Sequence, residues 1–447
     1  MPKTIIKNVL VVNEGKSLHQ DVLIQDERFE RIASSIDVQH AQEINGEGLV
    51  LLPGLIDDQV HFREPGLTHK ATIGSESMAA VAGGVTSFME MPNVVPPTLN
   101  VDLLNKKNEI ARASSFANYS FFLGVGNDTA NQALEINNHK NDICGLKIFM
   151  GSSTGNMLVD NIVTLEKIFS ESQVLIATHC ESEGIIKSNK DSLIHEHIDI
   201  NHASFHPIIR NEEACFESSL FAIQLAKKYN TRLHILHIST ARETELFSNM
   251  LPLHEKRITS EVCVHHLHFT SDDYATYGNL IKCNPAIKSP EHKEILWKAL
   301  LDDKLDIIAT DHAPHTWDEK SKSYLEAPAG VPLVQHSLQI LLESYKAGRI
   351  SLEKIVEKAS HAPAICFNIF NRGFIKEGYF ADAVLVNLNQ VQNVTKKNIL
   401  YKANWSPFEG HIFPSTIVST WVNGTRVFHE GNITHEKNSQ KLSFDRI

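Results

Sequence analysis

The sequence predicts an α/β protein, a (β/α)8 TIM barrel with a small accessory β-sandwich domain formed from both chain ends. Three observations predict it. Short apolar runs recur through the middle of the chain, each followed by polar residues and a helix-like stretch. Both ends carry β-branched clusters with no helical period. The apolar fraction is 42% against 21% charged, ample to bury a core, which excludes disorder as the main character.

At the amino end, Thr4–Val12, Asp21–Ile24 and Glu43–Leu52 read as strands, the last with turn residues from Asn45 to Gly48. Eight runs then carry the barrel: Leu49–Leu52 running on to Ile56, Val85–Met89, Tyr119–Leu123, Leu146–Met150, Val174–Ala177, Leu233–Leu236, Ile258–Val262 and Ile307–Ala309. Helical patterns such as Glu213–Tyr229 and His292–Leu301 separate them. Near-continuous apolar strands alternating with helices imply a parallel sheet covered on both faces. A doubly wound open sheet is the rival, but no Gly-x-Gly-x-x-Gly loop follows the first strand. Ala383–Val386, Thr416–Val418 and Trp421–Val427 restore the β texture, with a hairpin expected at Asn423-Gly424. The expected division is a composite β domain from residues 1–53 and 376–447 around a barrel at 54–375.

The formal net charge of −11 argues against a nucleic-acid partner. No apolar stretch is long enough to span a membrane, and Met1–Ile6 is too short a run for a signal peptide. The 6 cysteines contain no C-x-x-C pair, which suits a reduced, cytoplasmic protein. The unusual count is 24 His, several at the ends of apolar runs, and it points to metal chemistry.

Barrel enzymes carry their chemistry at the carboxyl ends of the strands. The first run leads into Asp57-Asp58-Gln59-Val60-His61-Phe62-Arg63-Glu64-Pro65-Gly66 and the second into Met91-Pro92-Asn93. The fourth contains Lys147, the fifth leads to His179, and the sixth to His237. The eighth leads to Asp311-His312-Ala313-Pro314-His315. A lone histidine at a strand end is usually structural; this many polar groups in register on different strands would converge on one mouth.

These segments, with Gly145-Leu146-Lys147, Ala177-Thr178-His179-Cys180-Glu181, Leu236-His237-Ile238-Ser239 and Asn284-Pro285, resemble the dihydroorotases of the amidohydrolase superfamily. The resemblance runs in order from about residue 50 to 375. It implies zinc-dependent, reversible hydrolysis of (S)-dihydroorotate to N-carbamoyl-L-aspartate in de novo pyrimidine biosynthesis. It makes His61, Lys147, His179, His237 and Asp311 the metal ligands, with Lys147 carboxylated by CO₂. The alternative for Lys147 is an ion pair with a carboxylate. Asp311 doubles as general base. Arg63, Asn93, Asn284, His315 and the Ala329-Gly330 backbone become substrate contacts, although Asn93 could equally be a turn residue and His315 a solvated loop residue. Nothing carries His312 into the site. The partners implied are small molecules, with a homodimer as the expected assembly.

One residue departs from the pattern. Most relatives read His-x-His where this chain reads Gln59-Val60-His61. Gln59 would be a weak oxygen ligand, leaving one or two zinc ions per chain with the second poorly held. That departure also feeds a rival reading, a non-catalytic dihydroorotase-like partner subunit. Allantoinase- or hydantoinase-type amidases are the other alternative, separated by Arg63, since a planar guanidinium demands a substrate carboxylate.

Overall fold

The computed structural model describes residues 3–151 and 157–446; Met1, Pro2 and Ile447, assigned above to the composite domain, lie outside them. The barrel strands are Leu55–Val60, Val85–Glu90, Asn118–Phe121 continuing as Leu123–Gly124, Leu146–Phe149, Ile176–His179, Leu233–Ile235, Ile258–Cys263 and Ile307–Ala309. Each pairs in parallel with the next. The ring closes where Val60 bridges to His312. The third strand changes partner at Phe122, pairing with the second strand before it and the fourth after it.

The first run is divided differently from the sequence reading. Val50–Pro53 belongs to the outer sheet, antiparallel to Ala383–Val386, and the barrel begins only after Gly54. A Cβ at Gly54 would sit 2.1 Å from Thr86 Oγ1, so the chain changes sheets at a residue without a side chain. An apolar run has no mark of where one sheet ends and another begins.

The outer sheet has 9 strands drawn from both chain ends. Its own core includes Ile6, Val22, Phe29, Leu51, Leu385 and Trp421. The expected hairpin joins Thr416–Val422 to Thr425–His429, with Asn423 at φ 47° and Gly424 at 75°. Both central residues are left-handed, as the favoured two-residue turn requires. From 376 onward the chain also serves the barrel. Trp405 Nε1 donates to the His315 carbonyl at 2.8 Å at the mouth. At the floor, Leu442 N donates to Tyr119 O at 2.8 Å, and Arg446 donates to the Ile143 carbonyl at 2.8 Å.

The outer helices include Glu212–Tyr229, capped by Asn211, and Pro290–Leu301, with proline at its first position. No helix among the described residues is long and apolar enough to cross a membrane.

Candidate active site

The strand ends converge on one cleft of about 400 Å³. Gln59, His61, Arg63, Asn93, Lys147 and His179 line it, joined by His237, Asn284, Asp311, Ala329 and Gly330. Phe149 and Ala313 complete the lining. His315 stands behind this wall. Three of the polar residues hold left-handed backbone: Arg63 at φ 67°, His237 at 42° and Asp311 at 47°. Such conformations are uncommon outside glycine and cluster at functional sites.

His179 ends the fifth strand, and His237 follows the sixth by two residues. Their rings meet with His179 Nδ1 2.9 Å from His237 Nε2. Glu181 Oε2 lies 3.1 Å from His179 Nε2 and is paired with Arg210. Glu181 therefore orients the ring from behind and leaves Nδ1 for the cleft. Burial lowers the pKa of both histidines, favouring the neutral imidazole that a metal needs.

Lys147 is buried beside them, and its Nζ has no hydrogen-bond partner among the described residues. Burial pulls its pKa down to about 7, against the upward pull of Asp311 and Glu261. The alternative of a carboxylate ion pair is absent from the described contacts.

His61 and Asp311 form the opposite side. His61 Nδ1 donates to Asn93 Oδ1 at 2.8 Å, which fixes the proton on Nδ1. Its Nε2 lone pair then faces Asp311 Oδ1 at 3.1 Å, and two acceptors this close require a cation or proton between them. Burial raises the Asp311 pKa, but the His61 hydrogen bond and nearby His61, His265 and Lys147 charges outweigh it, so the carboxyl stays below its ordinary range. The donor set of imidazoles, a carboxylate and an unpaired lysine nitrogen fits a divalent metal centre.

Gln59 is turned away from the ligand role expected of it. Its Nε2 donates to Asp311 Oδ1 at 3.2 Å, and its Oε1 faces the Cys263 thiol at 3.9 Å. A carboxylate only accepts and a thiol donates, so this orientation is the one both neighbours permit.

Arg63 is buried with its Nε donating to Pro314 O at 3.1 Å. Burial draws its pKa down to about 10, which leaves it charged at neutral pH. His315 Nδ1 accepts from Lys70 at 3.0 Å, so the ring proton is on Nε2 and is donated to Ala329 O at 3.0 Å. The Arg63 guanidinium, 3.1 Å from that same Nε2, finds no lone pair there. His315 is thus a support behind Arg63. His312 is also structural, with Nε2 2.8 Å from Glu76 Oε2.

Several supporting residues escaped the sequence reading. Lys320, buried in the wall, donates to the carbonyls of Gly330 at 2.9 Å, Pro328 at 3.0 Å and Lys282 at 3.2 Å. Lys282 donates to Tyr324 O at 2.7 Å and Ala327 O at 2.6 Å. Together they staple the loop that presents Ala329 and Gly330. His206 Nε2 lies 3.1 Å from Asn284 Oδ1, and its Nδ1 lies 2.8 Å from Tyr324 OH. Single lysines and a helix histidine have no pattern that separates them from solvated ones.

Comparison with known proteins agrees with this geometry. The model of the amidohydrolase family matches residues 50–427. A protein named dihydroorotase from Pyrococcus furiosus is 31% identical over 440 residues, covering 97% of this chain and 96% of that one. An allantoinase from Solibacter usitatus is 29% identical over 456 residues, covering 99% and 97%. Among solved structures, the L-hydantoinase (dihydropyrimidinase) from Arthrobacter aurescens superposes with a TM-score of 0.92 at 25% identity, covering 99% of this chain and 100% of that one. With a family match across most of its length and relatives that span nearly all of it, the chain belongs to the amidohydrolase family.

Proposed function

We propose that this amidohydrolase is a zinc-dependent dihydroorotase, opening (S)-dihydroorotate to N-carbamoyl-L-aspartate, and closing it in the reverse direction, as a cytoplasmic step of de novo pyrimidine biosynthesis. The observation that carries the reading is Arg63: a buried, charged guanidinium on the cleft wall whose neighbour His315 offers it no acceptor. No carboxylate pairs directly with this guanidinium among the described residues, although Asp311 and Glu90 lie near enough to act on it, and a ring carboxylate supplies a direct partner in bidentate form. Hydantoin, allantoin and dihydrouracil rings carry no such carboxylate.

In this reading zinc is held by His179, His237 and Lys147, the last carboxylated on its nitrogen, with His61 and Asp311 alongside. A zinc ion there would lower the pKa of water towards about 7 and polarise the ring carbonyl. Lys147 supports the modification because its buried amine has a lowered pKa and no hydrogen-bond partner among the described residues: nitrogen bonds to the CO₂ carbon and a proton is released. Asp311 moves the reaction's proton. As the water oxygen bonds to the ring carbonyl carbon, the C–N bond breaks, and the proton passes through Asp311 Oδ to the leaving nitrogen. Gln59 holds that carboxylate by donating to it, and His61 stands beside it. Asn93, Asn284 and the Ala329-Gly330 backbone read the ring amides. The barrel at 54–375 supplies this chemistry, the composite domain at 1–53 and 376–447 braces it, and the expected assembly is a homodimer.

An allantoinase- or hydantoinase-type amidase is the second reading, favoured by the allantoinase relative and the hydantoinase fold likeness. Parallel assays with dihydroorotate, allantoin, hydantoin and dihydrouracil separate the two. Turnover of dihydroorotate well above the others is expected; turnover of a neutral ring with none of dihydroorotate would overturn the proposal.

A further inference from the structure

Inside the barrel, three side chains that the proposed reaction does not use face one another. Asp58 lies on the first strand, His234 on the sixth and Glu261 on the seventh, all fully buried. His234 Nε2 is 3.2 Å from Asp58 Oδ2 and 3.4 Å from Glu261 Oε2. One donor atom from each residue falls within 4.8 Å of the other two.

The far side of the imidazole has its own partners. His234 Nδ1 is 2.8 Å from Thr259 Oγ1, whose own hydroxyl donates to Leu233 O at 3.3 Å. The hydroxyl can accept from Nδ1–H, which leaves Nε2 to the two carboxylates; burial lowers the ring's pKa, but Asp58, Cys366 and Glu261 outweigh it and hold it well above its ordinary value in the metal-free protein. Something positive must sit there. A single proton serves poorly, because both separations exceed the roughly 2.7–2.9 Å of charge-assisted hydrogen bonds. One N–H also cannot satisfy two carboxylates, and neither Asp58 oxygen receives a hydrogen bond among the described residues. With both carboxylates ionised the charges would sum to a buried net negative unit, which is costly, and burial with the nearby Asp58 charge pushes the Glu261 pKa up to about 8, so the metal-free cluster holds a second proton that a cation would displace. A divalent ion with two carboxylates and a neutral imidazole sums to zero. Ligands at about 2.0–2.2 Å around a tetrahedral ion lie about 3.3–3.6 Å apart, close to the spacing seen here.

We propose that Asp58, His234 and Glu261 hold a second kind of metal site, a divalent first-row cation buried in the barrel core. One imidazole and two carboxylates suit zinc or manganese. The ion ties three strands together. Because Glu261 Oε1 also accepts from the His237 backbone N–H at 3.0 Å, it braces the segment that carries His237.

The test uses the full chain, stripped with chelator, reloaded with zinc chloride and dialysed. Crystals measured at the zinc absorption edge should show an anomalous peak among these three side chains. Asp58→Asn should bind one zinc equivalent fewer than wild type by elemental analysis, while His179→Ala should keep the peak in the core. A wild-type map with zinc in the cleft alone, or equal zinc content in Asp58→Asn, overturns the proposal. Should Asp58→Asn fail to fold, the wild-type map decides by itself.

Discussion

Arg63→Lys keeps the charge and removes the planar fork, so it isolates what the guanidinium geometry does. Arg63 Nε is committed to Pro314 O at 3.1 Å, and a lysine cannot make that bond while also reaching the cleft. The substrate carboxylate would lose one of two charge-assisted hydrogen bonds, about 1.5–3 kcal/mol. That corresponds to a fall in kcat/KM of roughly 10- to 150-fold. Arg63→Met removes the charge as well, leaving a carboxylate unpaired in a desolvated site. Its cost is about 2–5 kcal/mol, or roughly 30- to 5,000-fold. The assay follows ring opening of dihydroorotate by each variant, with dihydrouracil as a neutral ring of similar shape and zinc content as the control for the metal site. A fall confined to dihydroorotate is expected. An unchanged kcat/KM in Arg63→Lys, or an equal fall for the neutral ring, would refute the role of Arg63 as the carboxylate anchor.

Further outcomes are expected at Lys147, Gln59 and Gly330. Lys147, with a pKa pulled down to about 7, becomes neutral as pH rises, so reactivation of stripped enzyme by bicarbonate plus zinc should increase from about pH 6 to about pH 8; Lys147→Ala should lose zinc and activity together. In the stripped, CO₂-free protein the unfolded chain binds the extra proton between about 7 and 10.5, so thermal stability should rise with pH across that window. Gln59→His should raise the zinc content, since it replaces a donor to Asp311 with an imidazole ligand; identical zinc titrations would show that Gln59 does not limit metal binding. Gly330→Ala places a Cβ 2.4 Å from Ala313 O and 2.9 Å from His315 Nε2 at φ 144°, so it should cost about 1–3 kcal/mol of stability and raise KM.

Residues whose chemistry stands at a strand end were legible in the sequence. His179, His237 and Asp311 follow short apolar runs, and parallel strands in register bring such positions to one mouth. The start of the barrel was less legible, because the apolar run from Val50 continues past Gly54 to Ile56 and only the close approach at Gly54 divides the two strands. Roles set by partners were not legible at all. Gln59 reads as an oxygen ligand until Cys263 and Asp311 are seen on either side of it. His315 reads as a substrate contact until Lys70 and Ala329 take both its nitrogens. Lys320, which the sequence does not single out, is held by three carbonyls. A residue type declares what a side chain can donate or accept; the neighbours that use it come from distant parts of the chain.

Asp311 shows the cost of such a site most directly. Its φ of 47° is a conformation that costs a residue bearing a Cβ about 1–2 kcal/mol, and glycine almost nothing. Comparing Asp311→Ala with Asp311→Gly removes the carboxylate from both, along with its hydrogen bond from Gln59 and its contact with His61, and leaves the backbone as the difference. In an ordinary site alanine would be the more stable by about 0.4–1 kcal/mol, because glycine gains more freedom on unfolding. Here the left-handed cost exceeds that gain, so the order should reverse and the glycine variant should be the more stable by about 0.5–1 kcal/mol. Thermal melts of the two inactive proteins, stripped of metal and run side by side, read the difference directly. A glycine variant melting at or below the alanine variant would mean that the backbone at Asp311 is unstrained. A higher-melting glycine variant would mean that the chain keeps a carboxylate in a strained position because the reacting proton needs it there.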